Sequence, residues 1–488
     1  MIDTETLRKK IIDLAIQGKL TQQLPEDGNA EDLYVQIQEE RAKLITEGKI
    51  KQEKPLPRIS DVEIPFEIPS NWKWTRIGDV TYSHGQKVPQ NTFCYVDIGT
   101  LDNVNHKLND KENIVEAKDA PSRARKIIED GDVIYSTVRP YLHNICIIDK
   151  SFSYEPIAST AFAIMHAFDG CLLNKFLFIW LLSEWFDKYA NGGNSKGVLY
   201  PAIGEKAFFN GLLPMPPFKE QERIVTIVDE IFNQIEYIDS FQKRYESDRE
   251  ILKGKIIDAA MRGKLTDHLI EDGDVEELYA QIRKEKAKLI KEGKLKNEKT
   301  LPDIFDVEIP YEIPNNWKWV RIGNVINEVI VPQRDKPTFS GDIPWCRIED
   351  KEGNYLNGTK SGQFVSKETV EKMNLRICPV GTVLSACSGA SIGTILITTV
   401  ECCTNQTFNG LVCNSRLYNW YLFWYLKSVI SKLKGMGTGS AMAYISQDKI
   451  RRMVIPLPPY EEQIRIVNTI NIFMQTINYE ENKKSVFE

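Results

Sequence analysis

Between Lys219 and Leu265 the apolar residues step by four and three: Ile224, Val228, Ile231, Ile235 and Ile238, then Tyr245, Leu252, Ile256 and Ala259. Gln242 and Arg249 interrupt this seam. A sustained four-three alternation is the pattern of a helix packed along another helix. The stretch therefore predicts one long helix, roughly 60–70 Å at the α-helical rise. Gly254 inside it costs about 1 kcal/mol relative to alanine, which tertiary packing can absorb.

The same pattern occurs a second time, cut in two. PPFKEQERIVTIVDEIFNQIE (216–236) reappears as PPYEEQIRIVNTINIFMQTIN (458–478), and LKGKIIDAAMRGKLT (252–266) reappears as LRKKIIDLAIQGKLT (7–21). The first and last residues of the chain both map onto position 246. This is a twofold repeat in circular register. It predicts that the N- and C-terminal helices form a broken second copy, antiparallel to the central helix and covering its seam.

Residues 21–74 match 266–319 without a gap. Within them the pattern predicts helices at Ala30–Glu47 and Val275–Glu292, with Asn29 and Asp274 as N-caps and Gly48 and Gly293 as C-terminal stops. Proline-punctuated extended segments follow, in which Trp72 and Trp74, and Trp317 and Trp319, share a strand face. Two globular inserts diverge in sequence but share a plan. The first should hold strands at Cys94–Ile98, Asp132–Ser136 and Ile145–Ile148 and a helix at Leu173–Tyr189. The second should hold strands at Trp345–Ile348, Thr382–Ser385 and Thr394–Ile397 and a helix at Leu417–Leu433. The expected organisation is α+β. It runs as a half-helix (1–21), arm (22–75), first insert (76–215), central helix (216–265), second arm (266–320), second insert (321–457) and second half-helix (458–488).

Composition narrows the function classes. The 488 residues are 42% hydrophobic and 27% charged, ordinary for a globular protein of two or more domains, and the net charge of −6 gives no support for non-specific nucleic-acid binding. No apolar run reaches the length of a membrane span and no signal peptide opens the chain, so the expected location is the cytoplasm, with the nine cysteines reduced and without a CxxC pair. There is no GxxxxGK[ST] loop. MPPF (215–218) and LPPY (457–460) lack the leading amide or acid of an amino-methyltransferase tetrad. Glu47-Gly48-Lys49 and Glu292-Gly293-Lys294 form a nuclease-like E-x-K, but helix capping explains the glycine. The histidines (His84, His106, His143, His166, His268) show no metal-ligand spacing. The expectation is no catalytic set, no metal site and no cofactor of its own.

The chain resembles the specificity subunit of a type I restriction–modification system. The resemblance is carried by IPxxWxWxRIG at Ile68–Gly78 and Ile313–Gly323, GDVIYSTVRPYLHNICII (131–148), GTVLSACSGASIGTILI (381–397), PxPPxxEQxRIV (214–225 and 456–467) and the GKLT after each helix. It implies that each insert is a target-recognition domain reading one half of a bipartite site in double-stranded DNA. It also implies that the helices set the spacer, and that two methyltransferase and two restriction subunits join the chain. The cofactors S-adenosylmethionine, ATP and magnesium would belong to those subunits. Two other readings stand beside it: a coiled-coil scaffold without DNA binding, and a divergent single-chain restriction–modification enzyme.

Reading bases needs donors and acceptors on exposed loops. The first insert offers Ser83, Gln86, Lys87 and Gln90, then Arg139, Tyr141 and His143, then Asn194 and Lys196. The second offers Gln333, Arg334 and Lys336, Ser388 and Ser391, Asn405 and Gln406, Lys434 and Thr438, and Tyr444. Arg139 and Lys196 are the first choices for phosphate or guanine. The competing reading is a surface turn for each glycine-rich loop, a structural ion pair for Arg139, and packing for Tyr141 and Tyr444. The basic run Arg283–Lys299 reads as a solvated helix face before it reads as a docking patch.

Overall fold

The structure is a computed structural model and describes residues 1–196, 201–331, 335–437 and 443–484. It divides into two compact units, Met1–Arg244 and Tyr245–Glu488.

In the first unit the helix Thr4–Ile16 lies along the start of the central helix. Ile2 N–H donates to Gln242 Oε1 (2.6 Å), Thr4 Oγ1 to Asp239 (2.5 Å), and the Arg8 guanidinium sits 5.1 Å from the Phe232 ring. Partner numbers fall as residue numbers rise, so these two segments run antiparallel. Ile12, Ala15 and Ile16 enter one core with Ile224, Val225 and Val228. Two four-stranded sheets form the insert. One is antiparallel, in the order Thr81–Tyr82, Phe162–Ala167, Val133–Ser136, Ile145–Ile147. The other, Ile114–Val115, Phe93–Val96, Pro156–Ser159, Ala124–Ile127, contains one parallel pair.

In the second unit the end of the central helix lies along Tyr460–Lys484. Arg249 Nη2 donates to Asn478 Oδ1 (3.2 Å), and Ile257, Ala260 and Met261 share a core with Ile466, Val467 and Ile470. Its insert has a five-stranded sheet, Ile326–Ile330, Phe408–Cys413, Val383–Ala386, Ile395–Thr398, Tyr355–Leu356, and a three-stranded one.

The central helix runs Phe218–Met261, ending four residues before the expected Leu265. Gly263 stops it at φ +68°, with Lys264 N–H donating to Ala259 O and Gly263 N–H to Ala260 O. The same pair of bonds at Gly18 (φ +67°) ends the first helix. The apolar seam is also corrected. Tyr245 and Leu252 are exposed, while Arg249 is buried and bonded to Glu246 and Asn478. The buried stripe passes through Ile257, Ala260 and Met261, one position later than the expected Ile256 and Ala259.

Both single helices expected in the inserts are broken. Leu173–Tyr189 resolves into Asn174–Leu181 and Glu184–Asn191, because Ser183 caps a new helix by accepting from Phe186 N–H. Leu417–Leu433 resolves into Asn419–Ser428 and Ile430–Met436, with Val429 off helical geometry between them. The arm helices run Ala30–Thr46 and Val275–Lys291, and Asn29 and Asp274 accept from Glu31 and Glu276 N–H.

Candidate nucleic-acid interface

The residues common to both halves build anchors. Glu220 is fully buried and accepts from Trp72 Nε1 (2.9 Å), Thr21 Oγ1 (3.0 Å) and Gln23 Nε2 (2.9 Å). In the second unit Glu462 accepts from Trp317 Nε1 (3.0 Å), Thr266 Oγ1 (3.1 Å) and Asn316 Nδ2 (3.2 Å), with His268 Nδ1 at 2.7 Å. Gln221 bonds Pro216 O just before its helix and Leu173 N–H and Cys171 O of a distant loop, and Gln463 likewise bonds Pro458 O and Tyr418 N–H. Arg223 grips Asp27, and Arg465 grips Asp272, with two hydrogen bonds each. The Arg of RIG does the same for the arm. Arg76 bonds Pro57 O, Asn210 O and Glu63, and Arg321 bonds Pro302 O, Arg452 O and Glu308. The motif letters therefore hold the helix ends, the arm and the insert entry together.

The divergent residues gather elsewhere. In the first unit the Val138 backbone bridges to Ala202, Arg139 N–H donates to Pro201 O (2.7 Å) and Ile203 N–H to Thr137 O (2.9 Å). The loop 136–144 thus meets the hairpin that begins at Ser195. Arg139 and His143 hold φ +51°, Tyr141 is half exposed, and His143 Nε2 lies 2.9 Å from Asp187. Asn194 donates to Tyr189 O (3.1 Å). The loop Ser83–Gln90 pairs with Ala124–Ile127 through Lys87 N–H to Arg125 O (2.8 Å), and Lys126 of that strand bonds Glu205 beside the hairpin. Ser83, Gln86 and Gln90 are exposed, whereas Lys87 is ion-paired with Glu155. The Lys196 side chain lies outside the described residues.

In the second unit Gly389 N–H donates to Ala443 O (2.8 Å), Ser388 bridges to Tyr444, and Cys387 N–H donates to Thr407 O (2.7 Å). Folding so brings Ser388, Ser391, Asn405, Gln406 and Tyr444 onto one rim. Ser391 Oγ turns back to Ser388 O, and Asn405 Oδ1 accepts from Thr407 N–H, which leaves Gln406 the exposed member of its pair. Lys434 is exposed, and Lys336 Nζ lies 5.4 Å from the Phe339 ring. Gln333, Arg334 and Thr438 lie outside the described residues.

A family model described as "Type I restriction modification DNA specificity domain" matches residues 314–488. The EcoAI specificity subunit of Escherichia coli is 25% identical over 97% of this chain and 89% of its own length. The HindI specificity subunit of Haemophilus influenzae is 23% identical over 85% of this chain and 96% of its own. Along nearly its whole length the chain is similar to type I DNA specificity subunits. Two solved structures share the fold. One, titled for complex assembly and conformational transition of the type I R-M system, superimposes with a TM-score of 0.66 at 24% identity, covering 87% of this chain and 95% of that one. The HsdS subunit from Thermoanaerobacter tengcongensis superimposes at 0.54 and 24% identity, over 86% and 94%. Among the described residues no helix is long and apolar enough to cross a membrane.

Two features of this chain escaped the sequence. Arg123 immediately precedes the strand that receives the Ser83–Gln90 loop and Arg125 lies within it, and Arg123 is exposed. The signal was present as the run SRAR (122–125). The second is the approach of two histidines that are far apart in the sequence and show no metal-ligand spacing there. Tyr82 pairs with His166, which sets His84 beside His166. Both then face Asp132: His166 Nδ1 at 2.7 Å and His84 Nε2 at 3.2 Å from Oδ1. Burial works to raise the Asp132 pKa, but hydrogen bonds from His166, His84 and Glu129 N–H hold it below the carboxylate range. Burial works to lower the His84 pKa, and the bond to Asp132 with the charges of Asp132 and Glu129 leaves it raised.

Proposed function

We propose that each unit reads one half of a bipartite site in double-stranded DNA, through the rim of loops its insert presents. The observation that carries this reading is the division of labour between residues. Side chains shared by the two halves bond to each other at the helix ends and arms, while the divergent side chains collect on loop rims. Shared surfaces fit two copies of one partner, and divergent rims fit two different base sequences. In this reading the chain is a twofold repeat in circular register, its long helices set the spacing, and two methyltransferase subunits dock on the repeated scaffold. Two restriction subunits complete a cytoplasmic complex, and all catalysis and cofactor binding reside in those partners.

Exchanging residues 76–215 for the corresponding insert of another specificity subunit tests the reading. The exchange should alter one half of the methylated motif and leave the other unchanged. Alteration of both halves would overturn independent reading.

A further inference from the structure

We propose that His84, Asp132 and His166 form a divalent transition-metal site, matched best to zinc, that pins the Ser83–Gln90 loop to the sheet of the first unit. The starting point is Asp132, which is fully buried. Its ion-pair partners among the described residues are the two imidazoles alone, with neither lysine nor arginine. A buried carboxylate needs a compensating cation. Its Oδ2 is occupied by Glu129 N–H at 2.8 Å, so Oδ1 alone faces both histidines.

His84 stands between two acids. Its Nε2 lies 3.2 Å from Asp132 and its Nδ1 lies 3.5 Å from Glu129. A neutral imidazole donates from one nitrogen only, so it cannot serve both. A cation on Nε2 resolves this, because Nδ1–H then faces Glu129 as in a carboxylate–histidine–metal chain. The three ligand atoms lie within 4.8 Å of one another. Metal–ligand bonds of about 2.0–2.1 Å in tetrahedral geometry put ligands roughly 3.3 Å apart, so a modest imidazole rotation closes the site.

Two nitrogens and a carboxylate oxygen suit zinc and its neighbours rather than calcium or magnesium. His84 and His166 retain 14% and 19% side-chain exposure, which leaves an entry path and room for water as a fourth ligand. The rings are already held, with Tyr82 5.6 Å from His84 and 4.9 Å from His166 between centroids. The second unit has Thr382 at the place of Asp132 in the strand-entry motif, and its hydroxyl donates to Pro379 O at 2.7 Å. The expected stoichiometry is therefore one ion per chain. The inference concerns binding of the ion and stands whether or not the rim reads DNA.

The test uses the full chain, stripped with chelator, then loaded with Zn²⁺ or titrated with Co²⁺. Metal is counted after desalting, and the cobalt d–d spectrum reports the ligand set. One ion per chain is expected in the wild type and none in H84A/H166A. Glu129 is exposed, so E129Q should keep the fold while weakening metal binding roughly tenfold to a hundredfold. Zinc should also slow amide exchange across residues 83–90. Failure to retain stoichiometric zinc would overturn the site, with protonated histidine as the compensating cation. Equal retention by the wild type and H84A/H166A would overturn it too, placing the metal on cysteine.

Discussion

Glu220 and Glu462 have no exposed surface, yet each collects the indole N–H of a tryptophan and the hydroxyl of a threonine from a distant part of its unit. Truncating either acid leaves a buried indole donor unpaired, which costs about 1–3 kcal/mol. E220A and E462A should each lose that much unfolding free energy in urea titrations, and W72F should lose less when E220A is already present. Gly18 and Gly263 are constrained twice. Both hold positive φ, and an added Cβ would clash with Pro69 Cγ or Pro314 Cγ. G18A and G263A should therefore lower the melting temperature, whereas G254A, whose Cβ meets open space, should raise it slightly. At this scale the sequence showed that EQ, GKLT and RIG recur, but not that Glu220 and Thr21 touch. Their partnership depends on chain return over 199 positions.

Among the elements, repetition and capping residues were legible. The N-caps Asn29 and Asp274 and the stops Gly48 and Gly293 act through local geometry, and they fall where the sequence places them. The phase of the central helix was not legible, since Arg249 takes a buried position by pairing with Glu246 and Asn478, and no periodicity of apolar residues announces that. The breaks at Ser183 and Val429 were hidden by continuous apolar character on both sides. The arm makes a pH prediction. Hydrogen bonds from Arg321 and Phe305 N–H hold the Glu308 carboxyl at about 2, against about 4.3 when unfolded. A depressed folded pKa contributes stability that is fully present above about pH 4.3 and is lost as pH falls toward 2. Asp27 and Asp272 are lowered in the same direction by Arg223 and Arg465. E308Q should thus lose less stability than the wild type between pH 4.3 and 2 in urea titrations, and parallel curves would refute the assignment. On the first rim, R123A should weaken DNA binding by the complex with little change in sequence preference and reduce the salt slope by about one.

For the whole molecule, the twin anchors and the two unlike rims favour a specificity subunit whose units work separately on DNA. The scaffold was readable because its residues occur twice in one chain, which serves as an internal comparison. The rims were readable only as loops. Which polar side chains point outward is decided by pairings such as Lys87 with Glu155 and His143 with Asp187, made across sequence distances that no local pattern spans. The most direct test is to express this chain with the proposed methyltransferase subunit in a modification-free host and to sequence the DNA for methylated adenine. The expected result is a single two-part motif with a fixed gap, absent when this chain is omitted. Modification at an uninterrupted motif, or none when both proteins are soluble and bound together, would contradict it.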